Sequence, residues 1–356
     1  MANRNRDFRA AQSGKKDEFY TSLKDIEAEI VHYRPHFAGK VVYCNCDDPR
    51  ASNFFRYFAE HFDELGLKRH IATCYRSLDS SQFSKGESDH GLFLEHHGGL
   101  DVEADRVKVQ QLRGDGDFRS DESVELLQQA DIVVTNPPFS LFREYVSQLV
   151  EYDKKFIILG NLNAVTYQEV FDLFQQDRIW YGSSIRSGDR EFRVPDDYPL
   201  KAAGARVDDD GNRYIRVKGV RWFTNLEYPG RQRPLQLVRA FDPHDYPKYA
   251  NFDAIEVSRT KEIPYDYPGP MGVPITFLDW YDPDQFEILG SSKSLGVPMA
   301  AIAPKGSFMA GGPRFYLPKG DGTFRRMYDR IVIRNRHPQR TAVRTGKGRR
   351  GISVSR

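Results

Sequence analysis

Three cysteines, Cys44, Cys46 and Cys74, are all that 356 residues contain. An odd number this small argues against a disulfide framework and suits a reducing compartment, where they read as small buried hydrophobes. CxxC pairs are missing as well, and the His32-x3-His36 and His90-x5-His96 spacings have no cysteine pair to complete them, so no zinc or other metal site is expected, and His96-His97-Gly-Gly reads as a loop. No apolar run approaches the roughly 20 residues of a membrane-spanning helix. The opening stretch MANRNRDFRAAQSGKKDEF lacks the apolar core of a secretory signal. A cytoplasmic protein with no membrane contact is expected. Phosphate-binding GKS/T loops, serine- or cysteine-nucleophile motifs and internal repeats are likewise missing.

What is present is a chain with 39% hydrophobic and 13% aromatic residues, enough to exclude wholesale disorder. Its net charge of +2 hides a strong asymmetry: residues 325–356 hold eleven Lys or Arg against Asp329 alone. Such a segment is either a solubilising tail or an arm that displaces counterions from phosphates.

Short β-branched or aromatic runs at 40–45, 70–75, 107–112, 132–135, 155–160 and 178–181, with 220–226 later, alternate with helically spaced segments at 51–65, 121–130, 141–152 and 166–176. In the first of these, Phe54, Phe55, Phe58 and Phe62 recur three and four apart. This predicts an open α/β fold with helices covering a largely parallel sheet. Ligands then bind beyond the carboxyl ends of the strands, so the residues following each strand are candidates for chemistry. After about residue 183 the chain turns Gly-, Pro-, Asp- and Arg-rich, as in a small β-rich lobe. The expected organisation is a polar lead-in over 1–15, a catalytic domain over 16–240 with an insertion at 183–218, a C-terminal region over 241–330 and a basic tail over 331–356.

The segment Asp131-Ile-Val-Val-Thr-Asn136-Pro137-Pro138-Phe139 is a buried-looking strand that stops at Asn-Pro-Pro-Phe. Each proline forces its predecessor out of the helical region and offers no N–H. The stretch therefore presents acceptors, the Asn136 side-chain oxygen and the Pro137 carbonyl, suited to gripping both hydrogens of an amino group. An aromatic amine such as adenine N6 is a poor nucleophile because its lone pair is delocalised into the ring. Two acceptors favour the pyramidal form with the lone pair exposed, and Phe139 can stack on the base. A sulfonium methyl is already electrophilic, so positioning accounts for most of the catalysis. A strand-ending turn is the ordinary alternative.

Asn-Pro-Pro-Phe after such a strand is similar to the catalytic motif of amino-methyltransferases, and its surroundings narrow the likeness. The chain resembles the EcoRI-type adenine-specific DNA methyltransferases through Lys16-Asp-Glu-Phe-Tyr-Thr21, Val41-Val-Tyr-Cys-Asn-Cys-Asp-Asp-Pro49, Gly114-Asp-Gly-Asp-Phe118, Asn136-Pro-Pro-Phe-Ser-Leu-Phe-Arg-Glu-Tyr145, Trp222-Phe-Thr-Asn225 and Met271-Gly-Val-Pro-Ile-Thr-Phe277. The resemblance implies a Rossmann-like methyltransferase sheet with a β-rich C-terminal and inserted target-recognition region. It also implies S-adenosyl-L-methionine as cofactor, and double-stranded DNA as partner of a monomer without an obligate protein partner. The setting would be a restriction-modification system, or a solitary or phage relative. Position by position, it assigns catalysis to Asn136, Pro137, Pro138 and Phe139. It places the cofactor's methionine part against Phe19, Tyr20 and Thr21, its adenine at Asp117 and Phe118, and the extruded adenine against Trp222, Phe223 and Asn225. A helix start at Phe19, an Asp-Gly turn at Asp117 and plain aromatic packing at Trp222 are the competing readings.

In place of the Gly-rich turn usual after the first strand of methyltransferases stands Cys44-Asn-Cys-Asp-Asp-Pro49. The close backbone approach that glycine permits is missing, so Asn45, Asp47 and Asp48 are expected to hold the cofactor by side chains, with a helix N-cap as the other use of Asp48. Asp79 is a candidate for the ribose hydroxyls. Adenine N6 lies inside the paired stack, so the base must be flipped and the backbone held by basic residues. Candidates are Arg186, Arg190, Arg193, Arg213, Arg216 and Lys218 in the insertion, with Arg334, Arg336, Arg340, Arg344 and Lys347 toward the end. The same motif would also serve an RNA adenine or a protein glutamine, and a DNA-binding relative without activity is the non-enzymatic rival.

Overall fold

The computed structural model describes residues 19–46, 52–74, 90–98, 107–194, 198, 200 and 204–339. Two compact units emerge, Met1–Arg231 and Gln232–Arg356. In the first, the described strands are β1 (Val41–Cys44), β2 (Arg69–Cys74), β3 (Leu92–His96), β4 (Val107–Gln111), β5 (Ile132–Thr135), β6 (Lys155–Asn161), β7 (Trp180–Tyr181), β8 (Asp189–Val194), β9 (Arg206–Val207), β10 (Arg213–Lys218) and β11 (Val220–Thr224). Eight of them form a sheet ordered β4-β3-β2-β1-β5-β6-β11-β7. The centre, β2-β1-β5-β6, is parallel, and β3 and β11 run against their neighbours. Strand order reverses between β1 and β5, which opens a crevice at their carboxyl ends.

The helices are α1 (Leu23–Ile30), α2 (Asn53–Glu60), α3 (Phe62–Leu65), α4 (Asp121–Gln129), α5 (Phe142–Glu151) and α6 (Gln168–Gln175). Serine side chains cap three of them, Ser22 accepting from the Asp25 N–H, Ser52 from Phe54 and Ser120 from Ser123, which satisfies donors that have no partner in the first helical turn. The single helix expected over 51–65 is two, broken at His61, whose φ of −106° and ψ of 16° leave the helical region. All four phenylalanines of that run are nevertheless buried. The expected loop at His96 is instead the end of β3, with His96 opposite His70 on β2; an apolar run as short as Leu92–Leu94 carries little signal by itself.

Sheet residues alternate between two packed faces. Val42, Cys44, Val134, Ile157, Leu159, Val220 and Trp222 join Ile26, Ile30, Phe54 and Phe58 in one core. On the other face Phe223 packs on Phe142 and Phe174, with ring centroids 4.8 and 6.0 Å apart. The insertion forms its own sheet, β8-β10-β9. Its inward residues Phe192, Val194, Ile215 and Val217 belong to the first core, whereas Arg193, Arg216 and Lys218 are exposed. The entry to the insertion is fixed by the buried Glu29 on α1, which accepts from the Ser183 and Ser184 backbone N–H groups at 2.9 and 2.7 Å and from the Tyr33 hydroxyl at 2.7 Å. Added side-chain bulk at Gly182 would strike Glu29 and Trp222.

The second unit contains β12 (Ile255–Glu256), β13 (Met271–Pro274), β14 (Phe286–Ser291), β15 (Tyr316–Pro318), β16 (Phe324–Arg326) and β17 (Arg330–Asn335). A sheet ordered β12-β13-β17-β14 and the hairpin β15-β16 make it β-rich, with only short 3₁₀ turns and no α-helix among the described residues. Its core holds a buried ion pair. Arg330 Nη2 donates to Glu256 at 2.7 Å, and the Tyr249 hydroxyl donates to the same carboxylate. Removing one partner would strand a charge away from water.

His70 generates a pH prediction. Its ring is fully buried, stacks on Phe55 at 4.9 Å and finds no hydrogen-bond partner among the described residues. Burial first, and the neighbouring His96 second, push its pKa down to about 3. A folded pKa below the unfolded value of about 6.5 means that the unfolded chain gains a proton the native chain refuses, so stability falls as the pH drops below about 6.5. This proton alone accounts for up to about 1.4 kcal/mol of lost stability per pH unit. Urea unfolding at a series of pH values should show a steeper acid slope for the wild type than for His70→Leu, and equal slopes would contradict the assignment.

Candidate active site at the carboxyl ends of the central strands

The crevice between β1 and β5 is where the sequence-predicted groups meet. Asn136 follows β5 directly and Asn45 follows β1, at the same height, because the parallel register sets Val42 beside Ile132 and Tyr43 beside Val133. The Thr135 hydroxyl donates to the Asn45 carbonyl, locking the two strand ends together. Helix α5 supplies Tyr145, whose buried hydroxyl donates to Asn45 Oδ1 and whose ring meets Phe118 edge-on at 5.0 Å. Burial drives the Tyr145 hydroxyl well above the ordinary phenol range, so it remains a donor.

Asn136 is 5% exposed. Its Nδ2 donates to the Phe19 carbonyl at 2.6 Å. A carbonyl can only accept, so this bond decides which end of the carboxamide is nitrogen. The other end, Oδ1, is buried and has no partner among the described residues. Nearby, the Pro138 carbonyl accepts from the Leu141 N–H at 3.0 Å to start α5, whereas the Pro137 carbonyl takes part in no hydrogen bond among the described residues. Two oxygens expected to grip an amine are therefore the ones left over. Phe139, half-buried, meets Phe19 edge-on at 5.6 Å.

The N-terminal segment is held from several sides. The Tyr20 N–H donates to the Arg193 carbonyl on β8 at 3.0 Å, the Thr21 carbonyl accepts from Asn53 Nδ2 at 2.7 Å, and the Phe19 ring lies 5.7 Å from Phe192. Thr21 Oγ1 is a second buried oxygen with no partner among the described residues. Unsatisfied buried polar atoms are rare in folded proteins, and these two belong to the segments joined by the Asn136–Phe19 bond.

After β4, the Asp117 carboxylate faces Arg119 at 2.7 Å, and this pairing raises the guanidinium pKa. Any ligand amine at Asp117 would share the carboxylate with that guanidinium. Phe118 is buried, its carbonyl accepting from Gln148 Nε2 at 3.0 Å. In the turn after β1, Cys46 adopts φ 82°, the left-handed conformation that a glycine would take without strain. Asp47, Asp48, Asp79, Arg340, Arg344 and Lys347 lie outside the described residues.

Three expected pocket residues do not join this crevice. Strand β11 runs antiparallel to β6, which carries Asn225 to the opposite edge of the sheet. There its Oδ1 accepts from the Phe156 N–H and its Nδ2 donates to the Lys154 carbonyl, both at 2.9 Å. Trp222 and Phe223 are fully buried, on opposite faces. Trp222 and Phe223 pack inside the sheet, the Trp222 indole N–H without a partner among the described residues, and Asn225 closes the strand end.

Among the basic candidates, Arg190 pairs with Asp25 at 3.5 Å, Arg216 with Glu191 at 3.9 Å and Arg334 with Glu287 at 3.4 Å. Arg213 donates to the Tyr198 carbonyl and Arg336 to that of Pro283. Arg186 is exposed, while Arg193 and Lys218 are exposed and make no ion pair among the described residues. Sequence reasoning missed the Phe19 carbonyl and Tyr145. A main-chain acceptor leaves no trace in residue type, and Tyr145 is spaced on α5 like the core residues Phe142 and Leu149.

A model of the EcoRI adenine-specific methyltransferases matches residues 7–336. The chain belongs to that family. Among its relatives, the type II methyltransferase M.EcoRI of Escherichia coli is 50% identical over 289 residues, 80% of this chain and 89% of that protein. Type II methyltransferase M.MpnI of Mycoplasma pneumoniae is 40% identical over 79% of this chain and 84% of its own length. Type II methyltransferase M.MgeORF184P of Mycoplasma genitalium is 38% identical over 79% and 85%. No solved structure matches.

The glycine-free turn of this family member predicts an ordering of variants. Cys46→Gly should leave unfolding stability unchanged or raised, and Cys46→Val should lower it by about 1–2 kcal/mol, because a β-branched side chain resists a positive φ. Urea unfolding measures both; the reverse order would refute the left-handed turn.

Proposed function

We propose that the chain transfers a methyl group from S-adenosyl-L-methionine to N6 of an adenine flipped out of duplex DNA, as the modification enzyme of a type II restriction-modification system. The observation that carries this reading is the Asn136 carboxamide. Its nitrogen is committed to the Phe19 carbonyl and its buried oxygen to no partner among the described residues. With the Pro137 carbonyl it makes a two-acceptor clamp for an exocyclic –NH2, which holds the amine pyramidal with its lone pair directed along the transfer path. No proton need leave before attack, so positioning supplies most of the rate. Phe139 stacks on the ring of the held base and is itself braced by Phe19.

The residues around the clamp fit the cofactor. Thr21 Oγ1 offers a buried unpaired group, Phe118 an aromatic surface and Asp117 a partly shared carboxylate. Asn45 presents its remaining amide valences. When bound, S-adenosylmethionine supplies the electrophilic sulfonium methyl. The protein orients the amine toward it and, through Thr135, Tyr145 and Asn45, keeps the two strand ends from drifting apart.

DNA would be held by the exposed side of the insertion, Arg186, Arg193 and Lys218 first, and the β-rich second unit would serve target recognition. The enzyme acts as a monomer in the cytoplasm on this reading. No described helix is long and apolar enough to cross a membrane.

A labelled-methyl transfer assay offering duplex DNA, RNA and protein tests the proposal. Label should enter adenine N6 of duplex DNA, and label confined to RNA or protein would overturn the substrate. Asn136→Ala should lower the transfer rate by at least about 10²–10³-fold, the effect of deleting a transition-state hydrogen-bonding group. Its affinities for cofactor and DNA should stay near those of the wild type. Retained turnover would remove Asn136 from catalysis.

A further inference from the structure

Charge in the second unit is divided sharply along the chain. Residues 242–287 carry ten acids against three Lys or Arg, whereas residues 291–339 carry nine Lys or Arg against Asp321 and Asp329. Several of those nine cations are consumed internally: Arg330 by Glu256, Arg334 by Glu287 and Arg314 by Asp329. Lys305, Lys319 and Arg325 are exposed and make no close ion pair among the described residues, although Lys319 acts at longer range on Asp321, whose carboxyl is held low first by its hydrogen bonds from Thr323.

Arg325 lies on β16, Lys319 directly follows β15, and Lys305 stands in the turn before the segment that edges this hairpin. Hairpin β15-β16 sets Leu317 opposite Arg325. Segment 307–308 lies along its edge through the bridge between Phe308 and Phe324, closed by the Phe324 N–H donating to the Ser307 carbonyl at 2.9 Å. Two of the most exposed large apolar side chains of the protein flank the same strands, Met309 at 68% and Tyr328 at 81%. One exposed apolar side chain is unremarkable on a protein surface, but two beside unpaired cations form a pattern. Both stand on braced backbone. The Met309 carbonyl accepts from the Tyr316 hydroxyl at 2.8 Å, and Met327, next to Tyr328, donates its N–H to the Phe315 carbonyl at 2.9 Å.

We propose that Lys305, Lys319 and Arg325 form a phosphate-contacting face for duplex DNA, with Met309 and Tyr328 as apolar side chains that press into a base step. The inference rests on the reading of the chain as a DNA methyltransferase and adds a contact surface to it. Unpaired cations release counterions from a polyanion, which gives affinity and salt dependence. Apolar side chains pressed between base steps unstack them, as proteins that deform DNA do with Met, Leu and Phe. A braced support adds little ordering cost when the duplex arrives.

The test uses the full-length protein and a short duplex containing the sequence it methylates in cells, with binding followed by anisotropy across a salt series. Lys305→Glu/Arg325→Glu should bind at least about ten-fold more weakly and flatten the log K against log salt slope by about 2. Its unfolding midpoint and cofactor affinity should be unchanged, because both residues are exposed. Met309→Ala/Tyr328→Ala should weaken binding to the intact duplex more than to one whose target adenine faces an abasic position, where the stack is already opened. Wild-type affinity and salt slope in the charge variant, while the wild type binds and methylates DNA, would overturn the surface alone. Equal loss on both duplexes would overturn the wedge. Equal or tighter binding of an RNA duplex by this face would overturn the assignment to DNA. A wild type that neither binds nor methylates DNA would remove the underlying reading with it.

Discussion

The hydrogen bond from Asn136 Nδ2 to the Phe19 carbonyl is the constraint on which the site depends. Without it the carboxamide could turn over and present two N–H donors to an incoming amine, which already carries donors of its own. The bond is meaningful only because Phe19 is held in place, by the Tyr20 N–H on the Arg193 carbonyl and by its ring among Phe139, Phe192 and Tyr198. A side-chain orientation at the end of β5 is thus set by main-chain geometry more than a hundred residues away in sequence. Burial adds to its weight, since a polar group removed from water strongly favours the one arrangement that satisfies it.

Much of this was legible beforehand because the relevant signals are local. The hydrophobic runs of β1, β5 and β6 are fully buried parallel strands, and such strands read as continuous apolar segments. The Asn-Pro-Pro-Phe stop was legible because proline restricts its neighbours whatever the tertiary context. The helices beginning near 53 and 121 were legible from their apolar spacing, whereas α1, capped by Ser22, was not anticipated.

What failed to show was relational. Trp222, Phe223 and Asn225 look like an aromatic pocket lining in one dimension. An antiparallel strand, however, sends consecutive side chains to opposite faces and its far end to the opposite edge, so Trp222 and Phe223 pack on different faces and Asn225 bonds to the main chain at the far edge. Leu92–His96 was hidden for a similar reason: an added strand in an outer hairpin needs little intrinsic pattern once β2 offers it a ladder. Cys46 shows the reverse case, a residue of unfavourable type in a conformation that the turn demands regardless. Its strain is tolerated because β1 and α2 fix both ends of the connection.

The bond between Tyr20 and Arg193, together with the grip of Glu29 on Ser183 and Ser184, joins the start of the chain to a segment inserted far downstream. The insertion is therefore not a cassette that evolution could exchange freely to change what the enzyme reads. Any replacement for β8 would have to carry the same main-chain acceptor for residue 20 and the same aromatic backing for Phe19, or the amide at Asn136 would lose its bearing. The second unit, with its own core and its own buried ion pair, carries none of these contacts.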